Sequence, residues 1–462
     1  MTRHNRPLLG LLLATSTALT SLALPAAADA VFDQPATFTG QVQLSGADRS
    51  PAYPGKPVEI RGSRFQPGQE VRLSRGADLL TEALTADAEG NFTASFDLPA
   101  DAVVGQHPIV VQTESPDSAE IITLKVSPEI PFSGEDQFDI AKVAPGKGLY
   151  QIAFSPKSNA YFVTGAVGRP PIKESELLKL DAATLDTLAK VTPAAAPAQG
   201  DRDSGLFAVY GVAVDDTNGT VWVTNTRQNT VAIYAQSDLS LIKQFEPGLT
   251  DHPRDVVVDA ERGRAYVSAA SQGIVVFDTA TQELVEVIEI PSGQRRETFT
   301  AMSLAFDPQA NLLYTPSLTT PEVARINLTD KTVQVFPLSD ANQATGIDID
   351  PASGRMFVAA QGTDNLIALD AEGAEQFNVK VGAGALNVAY DASHNRVYVT
   401  SRGSDSLAAV NADTGEIIAN LNLGSFPNFV DVTTDGTIIA VNKARGAEDG
   451  TGDQVWRLTP KQ

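Results

Sequence analysis

The sequence predicts an all-β chain: a seven-bladed β-propeller closed by an N-terminal strand, with a small β-sandwich in front of it. Three observations predict this. A unit of four short strands recurs after residue 145. The stretch before it alternates apolar and polar residues between turn signals. The last unit runs out one strand short, while a spare strand stands ahead of the first.

Residues 1–30 belong to neither module. Arg3 and Arg6 make a basic start, Pro7 to Leu24 is largely apolar, and Ala28-Asp29-Ala30 offers the small-x-small pattern of a signal-peptidase site. Export is therefore expected. No later segment approaches the roughly 20 apolar residues that span a bilayer. The chain has no cysteine, which excludes disulfides, thiolate zinc sites and cysteine nucleophiles, so the core alone must hold an exported fold. A formal charge of −22 disfavours unspecific adhesion to nucleic acid or anionic lipid and leaves a local site open.

From about residue 38 to 127 short alternating segments follow one another, among them Val58-Glu59-Ile60-Arg61, Val71-Arg72-Leu73-Ser74 and Phe92 to Phe96. Pro54-Gly55, Pro67-Gly68 and Glu89-Gly90 punctuate them. Strands this short and numerous suit a two-sheet sandwich. Gly62-Ser63-Arg64-Phe65-Gln66-Pro67-Gly68 and Ala86 to Phe92 resemble the immunoglobulin-like modules of bacterial exported proteins, and a spacer or docking role is expected. The boundaries read as a signal at 1–30, an immunoglobulin-like sandwich at 31–130, a linker at 131–135 overlapping the run Pro128 to Gly134, and the propeller at 136–462.

In the repeat, an apolar strand ends in Asp or Ser, a polar turn follows, and a second strand is rich in aromatic and β-branched residues. The first strands end at Ser155, Asp215, Asp259, Asp307, Asp350, Asp391 and Thr434-Asp435. Second strands include Tyr161 to Thr164, Val221 to Thr224 and Val397 to Thr400, and third strands end at Asp181, Asp278, Asn327, Asp370 and Asn411. Spacings of 41 to 48 residues, with one of 60, match four strands per blade. A four-stranded sheet with two apolar faces needs a neighbour on each side, so a ring is the natural closure. The spare strand Phe138 to Val143 would complete the last blade and cover an open edge.

Ser-His-Asn-Arg-Val-Tyr-Val-Thr (393–400) and the turn Asn-Ala-Asp-Thr-Gly-Glu (411–416) resemble the YncE-type periplasmic propellers, as do Arg-Ala-Tyr-Val-Ser (264–268) and Val-Trp-Val-Thr-Asn (221–225). The resemblance spans about 136–460. It implies an exported seven-bladed protein, a periplasmic location (or secretion), and, for some members, a link to single-stranded DNA. The leading sandwich departs from the simplest members.

Sorting residues by turn separates two faces. Most of the propeller's acids fall in the turns opposite the mouth, where Asp side chains form turns by accepting backbone N–H bonds. Lys147, Arg202, Arg227, His252, Arg254, Arg295, Arg402 and Lys443 fall in the loops of the mouth, joined by the aromatics Tyr150, Tyr210 and Phe299. Guanidinium groups near a channel mouth suit phosphate or carboxylate, and Arg254, at the start of an inner strand, is the first choice. The segment Gly165 to Leu206 reads as an insertion able to cap the mouth. With four His in all, and only His252 near the mouth, no zinc site forms; no metal and no cofactor is expected. The expected function is non-catalytic binding of an anionic small molecule, a nucleic acid or an envelope protein by a monomer. The alternatives are a metal-dependent hydrolase or lactonase of propeller type, for which Asp203, Asp255 and Asn428 are candidate oxygen ligands, or a protein–protein scaffold.

Overall fold

The computed structural model describes residues 1, 36–198, 200 and 202–461. Positions 2–30 of the expected signal lie outside the described residues. After residue 135 the chain is built of seven four-stranded antiparallel sheets, each running in sequence order from an inner to an outer strand except the last. In that last sheet the strands Pro427–Val432, Ile438–Asn442 and Val455–Pro460 are joined by Phe138–Val143 from the start of the repeat. The joint pairs Pro460 with Phe138 and Val455 with Val143, antiparallel and without a bulge.

The second strands explain why the sheets stack face to face. Every residue of Thr220–Asn225 is buried, so the strand is covered on both faces, because successive side chains point to opposite sides. Trp222 packs with Phe277, Val267 and Val275 of the following sheet. Its neighbours Val221 and Val223 pack with Phe162 and Leu177 of the preceding one. The β-branched and aromatic residues of the repeat thus serve as the inter-sheet core.

The turns away from the mouth share one device. Asp278 Oδ1 accepts the N–H of Ala280 at 3.0 Å and of Thr281 at 2.8 Å. Asp215, Asp259, Asp307, Asp391 and Asn411 accept the corresponding pairs of N–H groups. Four residues on, the chain turns left-handed, at Gly219 (φ 67°), Gly263 (φ 63°) and Asn395 (φ 52°). This is why Gly and Asn recur there. The acids of this face are turn architecture.

The segment 165–206 is largely not an insertion. It contains the first sheet's own third and fourth strands, Glu174–Asp181 and Thr187–Val191. Only the connection from 192 to 211 is long, and it is folded back by bridges of Ile172 with Gly205 and Ala195 with Leu206.

Residues 41–126 form a three-stranded and a five-stranded antiparallel sheet around their own core of Val58, Ile60, Val71, Leu73, Ile109 and Val111. This module is docked on the propeller. Lys125 Nζ lies 2.7 Å from Asp364 Oδ1 and 3.0 Å from the Gln361 carbonyl, and Gln106 Nε2 donates to the Gly362 carbonyl at 3.1 Å. The connecting segment is tied to the sixth sheet: Ser133 and Asn420 exchange backbone bonds of 2.8 and 3.0 Å. Among the described residues no helix is long and apolar enough to cross a membrane.

Candidate functional site

Six inner strands end at an equivalent residue, Ser155, Asp215, Asp259, Asp307, Asp350 and Asp391, and in the last sheet Thr433 directly after the strand holds that place. Five positions earlier stand Tyr150, Tyr210, Arg254, Met302, Thr345, Leu386 and Asn428. All of these but Tyr210 line one small pocket at the mouth of the central bore. Five of the inner strands carry a register shift at this level, for instance between Leu149 and Ile152 and between Pro253 and Val256. Such bulges re-aim side chains, and here they present the ring to the bore.

Side chains at this level also buckle the sheets together. Gln151 Oε1 accepts the Val212 N–H at 2.9 Å, and Asp255 Oδ2 accepts that of Leu304 at 2.9 Å. Thr345 Oγ1 donates to the Leu386 carbonyl at 2.7 Å, Asn387 Oδ1 accepts from Val430 at 2.9 Å, and Asn428 Nδ2 donates to Tyr150 at 2.9 Å. The second sheet contributes Gly211, where a Cβ would stand 2.7 Å from the Arg254 carbonyl. Only glycine allows that approach.

Above this belt, cations converge on Tyr150. Lys443 Nζ lies 4.5 Å and the Arg254 guanidinium 6.0 Å from the centre of its ring. Tyr210 meets the ring edge-on at 4.2 Å and accepts a 3.2 Å bond on its hydroxyl from Arg227 Nε. Burial pushes the Tyr150 phenol up, yet Arg254, Lys443 and Arg402 outweigh it and hold the group below its ordinary value. Burial in turn lowers Lys443 and Arg402, the neighbouring cations adding to the effect. His252 is lowered by burial, then by Arg254 and Arg227, so it stays neutral near pH 7. Among the described residues, Arg227, Arg254, Arg402 and Lys443 form no ion pair with a carboxylate. Asp453 near Lys443 and Asp255 near Arg254 are the acids acting on this group. Like charges held together without a direct ion pair repel one another, and an anion at this point would relieve them.

The structure therefore brings together Tyr150, Tyr210, Arg227, His252, Arg254, Arg402 and Lys443 of the expected set. It leaves three outside. Lys147 is exposed and paired with Glu174 at 3.5 Å, and Arg202 and Arg295 are exposed on peripheral loops. Phe299 is 3% exposed in the core between the third and fourth sheets and offers no stacking face. Of the candidate oxygen ligands, Asp203 caps the Gly205 N–H, Asp255 is consumed by the belt, and Asn428 bonds Tyr150. Among the described residues no three His, Asp or Glu side chains are grouped to hold a metal.

Deeper in the bore are two acids that the repeat pattern conceals. Two positions before the strand-ending residue the sheets carry Ala153, Ala213, Val257, Ala305, Asp348, Ala389 and Asp431. Asp348 accepts the Tyr390 N–H at 2.7 Å and that of Ile349 at 2.8 Å, and Asp431 accepts that of Val432 at 2.8 Å. Both are enclosed by protein while keeping partial access to the bore. Burial raises Asp348 to about 7, with Asp431 adding to it, and raises Asp431 to about 6, with Asp255 adding to it. An acid raised in the folded state keeps a proton that the unfolded chain releases near pH 4, so stability should fall as pH climbs from about 4 to 7. We expect Asp348→Asn to flatten this decline in denaturation midpoints measured across that range. An unchanged slope would mean that Asp348 is ionised throughout.

No family model matches the chain. It is 23% identical over 337 residues to the Salmonella typhi protein named Uncharacterized protein YncE, an alignment covering 69% of this chain and 90% of the relative. The Escherichia coli K12 protein of the same name is 23% identical over 251 residues, 52% of this chain and 66% of the relative. Among solved structures, a chain of Kuenenia stuttgartiensis hydrazine synthase superposes with a TM-score of 0.55 at 14% identity, covering 69% of this chain and 96% of its own. The WD40 repeats of RRP9 superpose at 0.56 and 12% identity, covering 72% and 100%. Identities this low speak for the fold alone: the chain is an all-β protein with a propeller similar to the YncE proteins.

Proposed function

We propose that the chain is an exported, non-catalytic seven-bladed propeller, preceded by an immunoglobulin-like sandwich, that binds an anionic ligand at the mouth of its bore. The basic, apolar start of the sequence supports export, to the periplasm or beyond. The single observation that carries the binding reading is the cluster of Arg254, Arg402 and Lys443 about Tyr150, with Arg227 on the adjoining Tyr210 and no carboxylate in ion-pair contact with any of them among the described residues. In a chain of net charge −22, such a concentration of unpaired cations is costly to keep unless something anionic offsets it. Arg254 supplies a planar fork of donors for phosphate or carboxylate, Lys443 a point charge, and Tyr150 a hydroxyl between them. The small bore below favours a compact anionic group over a base or a sugar.

Arg254→Ala is expected to weaken binding of orthophosphate or a small carboxylate about tenfold, as loss of one charge-assisted contact does. Calorimetric titration at two ionic strengths checks it, since wild-type affinity should fall with salt. An affinity indifferent to both salt and Arg254 would sink the reading.

A further inference from the structure

Beside the mouth, the docked sandwich and the propeller flank an open crevice. Its lining includes Arg49 and Lys125 from the sandwich and Arg402 and Arg445 from the propeller, and no Asp or Glu. That is against the composition of a chain with 56 acids and 34 Lys and Arg. Lys125 and Arg445 are paired with Asp364 and Asp405, both at 2.7 Å. Arg49 and Arg402 have no carboxylate in ion-pair contact among the described residues. The other acids nearby, Asp48 and Glu129, line an adjoining pocket shared with Arg49, Arg445 and Asp405. The crevice itself is lined by cations and neutral polar groups, with no carboxylate among them.

Arg402 links the two sites. It stands close enough to Tyr150 and Arg254 to be counted with the mouth, and it also lines the crevice. The Phe426 ring fixes its position, with Arg402 at 4.8 Å and Arg445 at 4.6 Å from the ring centre. Phe426 is itself held at φ 47°, an unfavourable setting for an aromatic residue that the surrounding fold must enforce.

Building on the mouth reading, we infer that the ligand is an elongated polyanion, one end at Arg254 and Lys443 and the other in the crevice against Arg49. The sandwich is then a wall of the binding site and not a spacer. Linking two anionic groups makes the second contact intramolecular, so affinity should rise with chain length by more than the number of groups. Oligophosphates and polycarboxylates share this chemistry.

The test titrates the full chain, wild type and the variants Arg49→Ala and Arg254→Ala, at constant ionic strength. The probes are orthophosphate and tripolyphosphate, with acetate and tricarballylate as the carboxylate pair. In at least one series the longer probe should bind at least tenfold tighter than the shorter; the series in which it does names the source. Arg49→Ala should remove about tenfold from the longer probe and leave the shorter within twofold, while Arg254→Ala weakens both. Arg49 lies on an exposed turn, so unchanged melting temperature verifies folding of that variant. If Arg49→Ala binds every probe as the wild type does while Arg254→Ala is impaired, the crevice is no part of the site and the mouth reading stands. If Arg254→Ala is unimpaired as well, both readings fall.

Discussion

Phe138→Ala is expected to cost about 3–5 kcal/mol, the usual loss for truncating a fully packed Phe. Phe138 is 3% exposed and sits among Tyr398, Leu421, Ile438 and Leu458. Its ring meets that of Tyr398 edge-on at 6.4 Å. The position matters beyond its area. Phe138 opens the strand that completes the last sheet, and the pairing it anchors joins residues more than three hundred positions apart. Such a contact closes the largest loop in the domain and leaves a bare sheet edge when it opens. The same strand provides the control. Asp139 points outward, with a side chain 77% exposed and a surface contact to Lys461 at 3.6 Å, so Asp139→Ala should stay within about 0.5 kcal/mol. Chemical denaturation of both variants reads the difference. Equal effects would mean that the strand does not close the ring.

Lys125→Ala is the second large effect. Asp364 is 1% exposed and accepts two bonds, from Lys125 Nζ at 2.7 Å and from the Gly384 N–H at 2.6 Å. Removing the cation leaves a buried carboxylate with one backbone donor, a loss of about 3 kcal/mol. Because the pair bridges the sandwich and the propeller, the loss should fall on their docking. Calorimetry is expected to show one transition splitting in two, with faster proteolysis in the segment 128–134. Adding Asp364→Asn to the variant removes the stranded charge and should restore part of the loss. A single unshifted transition in Lys125→Ala would show that the modules are held by other contacts.

Much of the propeller was legible because its rules are local. The turn acids announce themselves by a fixed interval to a left-handed Gly or Asn, and strands buried on both faces announce themselves as unbroken runs such as Val221-Trp222-Val223. The closing strand was readable by counting, since a repeat that lacks one strand at its end and has one to spare at its start leaves few alternatives. The mouth was half legible. Arg254, Arg402 and Lys443 lie in loops that the repeat register assigns to one end, whereas Lys147, Arg202 and Arg295 share that assignment and point elsewhere. Register places a residue at an end of the ring, but not at a radius. Phe299 fails for the same reason: aromatic and near the rim in sequence, it is turned into the core between two sheets.

Asp348 and Asp431 were hidden by a different cause. In the sequence an acid inside an apolar strand looks like the strand-ending Asp displaced by two residues. Only the aligned sheets show that the other five four-stranded sheets carry Ala or Val at that place. The amino-acid sequence determined the strands, their turns and the order in which they pair, because each follows from hydrophobic alternation and backbone conformation over a few residues. The tertiary structure decided which charges meet. Arg402 lines the crevice and acts on Tyr150 at the mouth, Arg49 lines the crevice from another module, and three cations act on one tyrosine. Electrostatic neighbours depend on distances across the closed ring, and those distances are set only when all the sheets have packed.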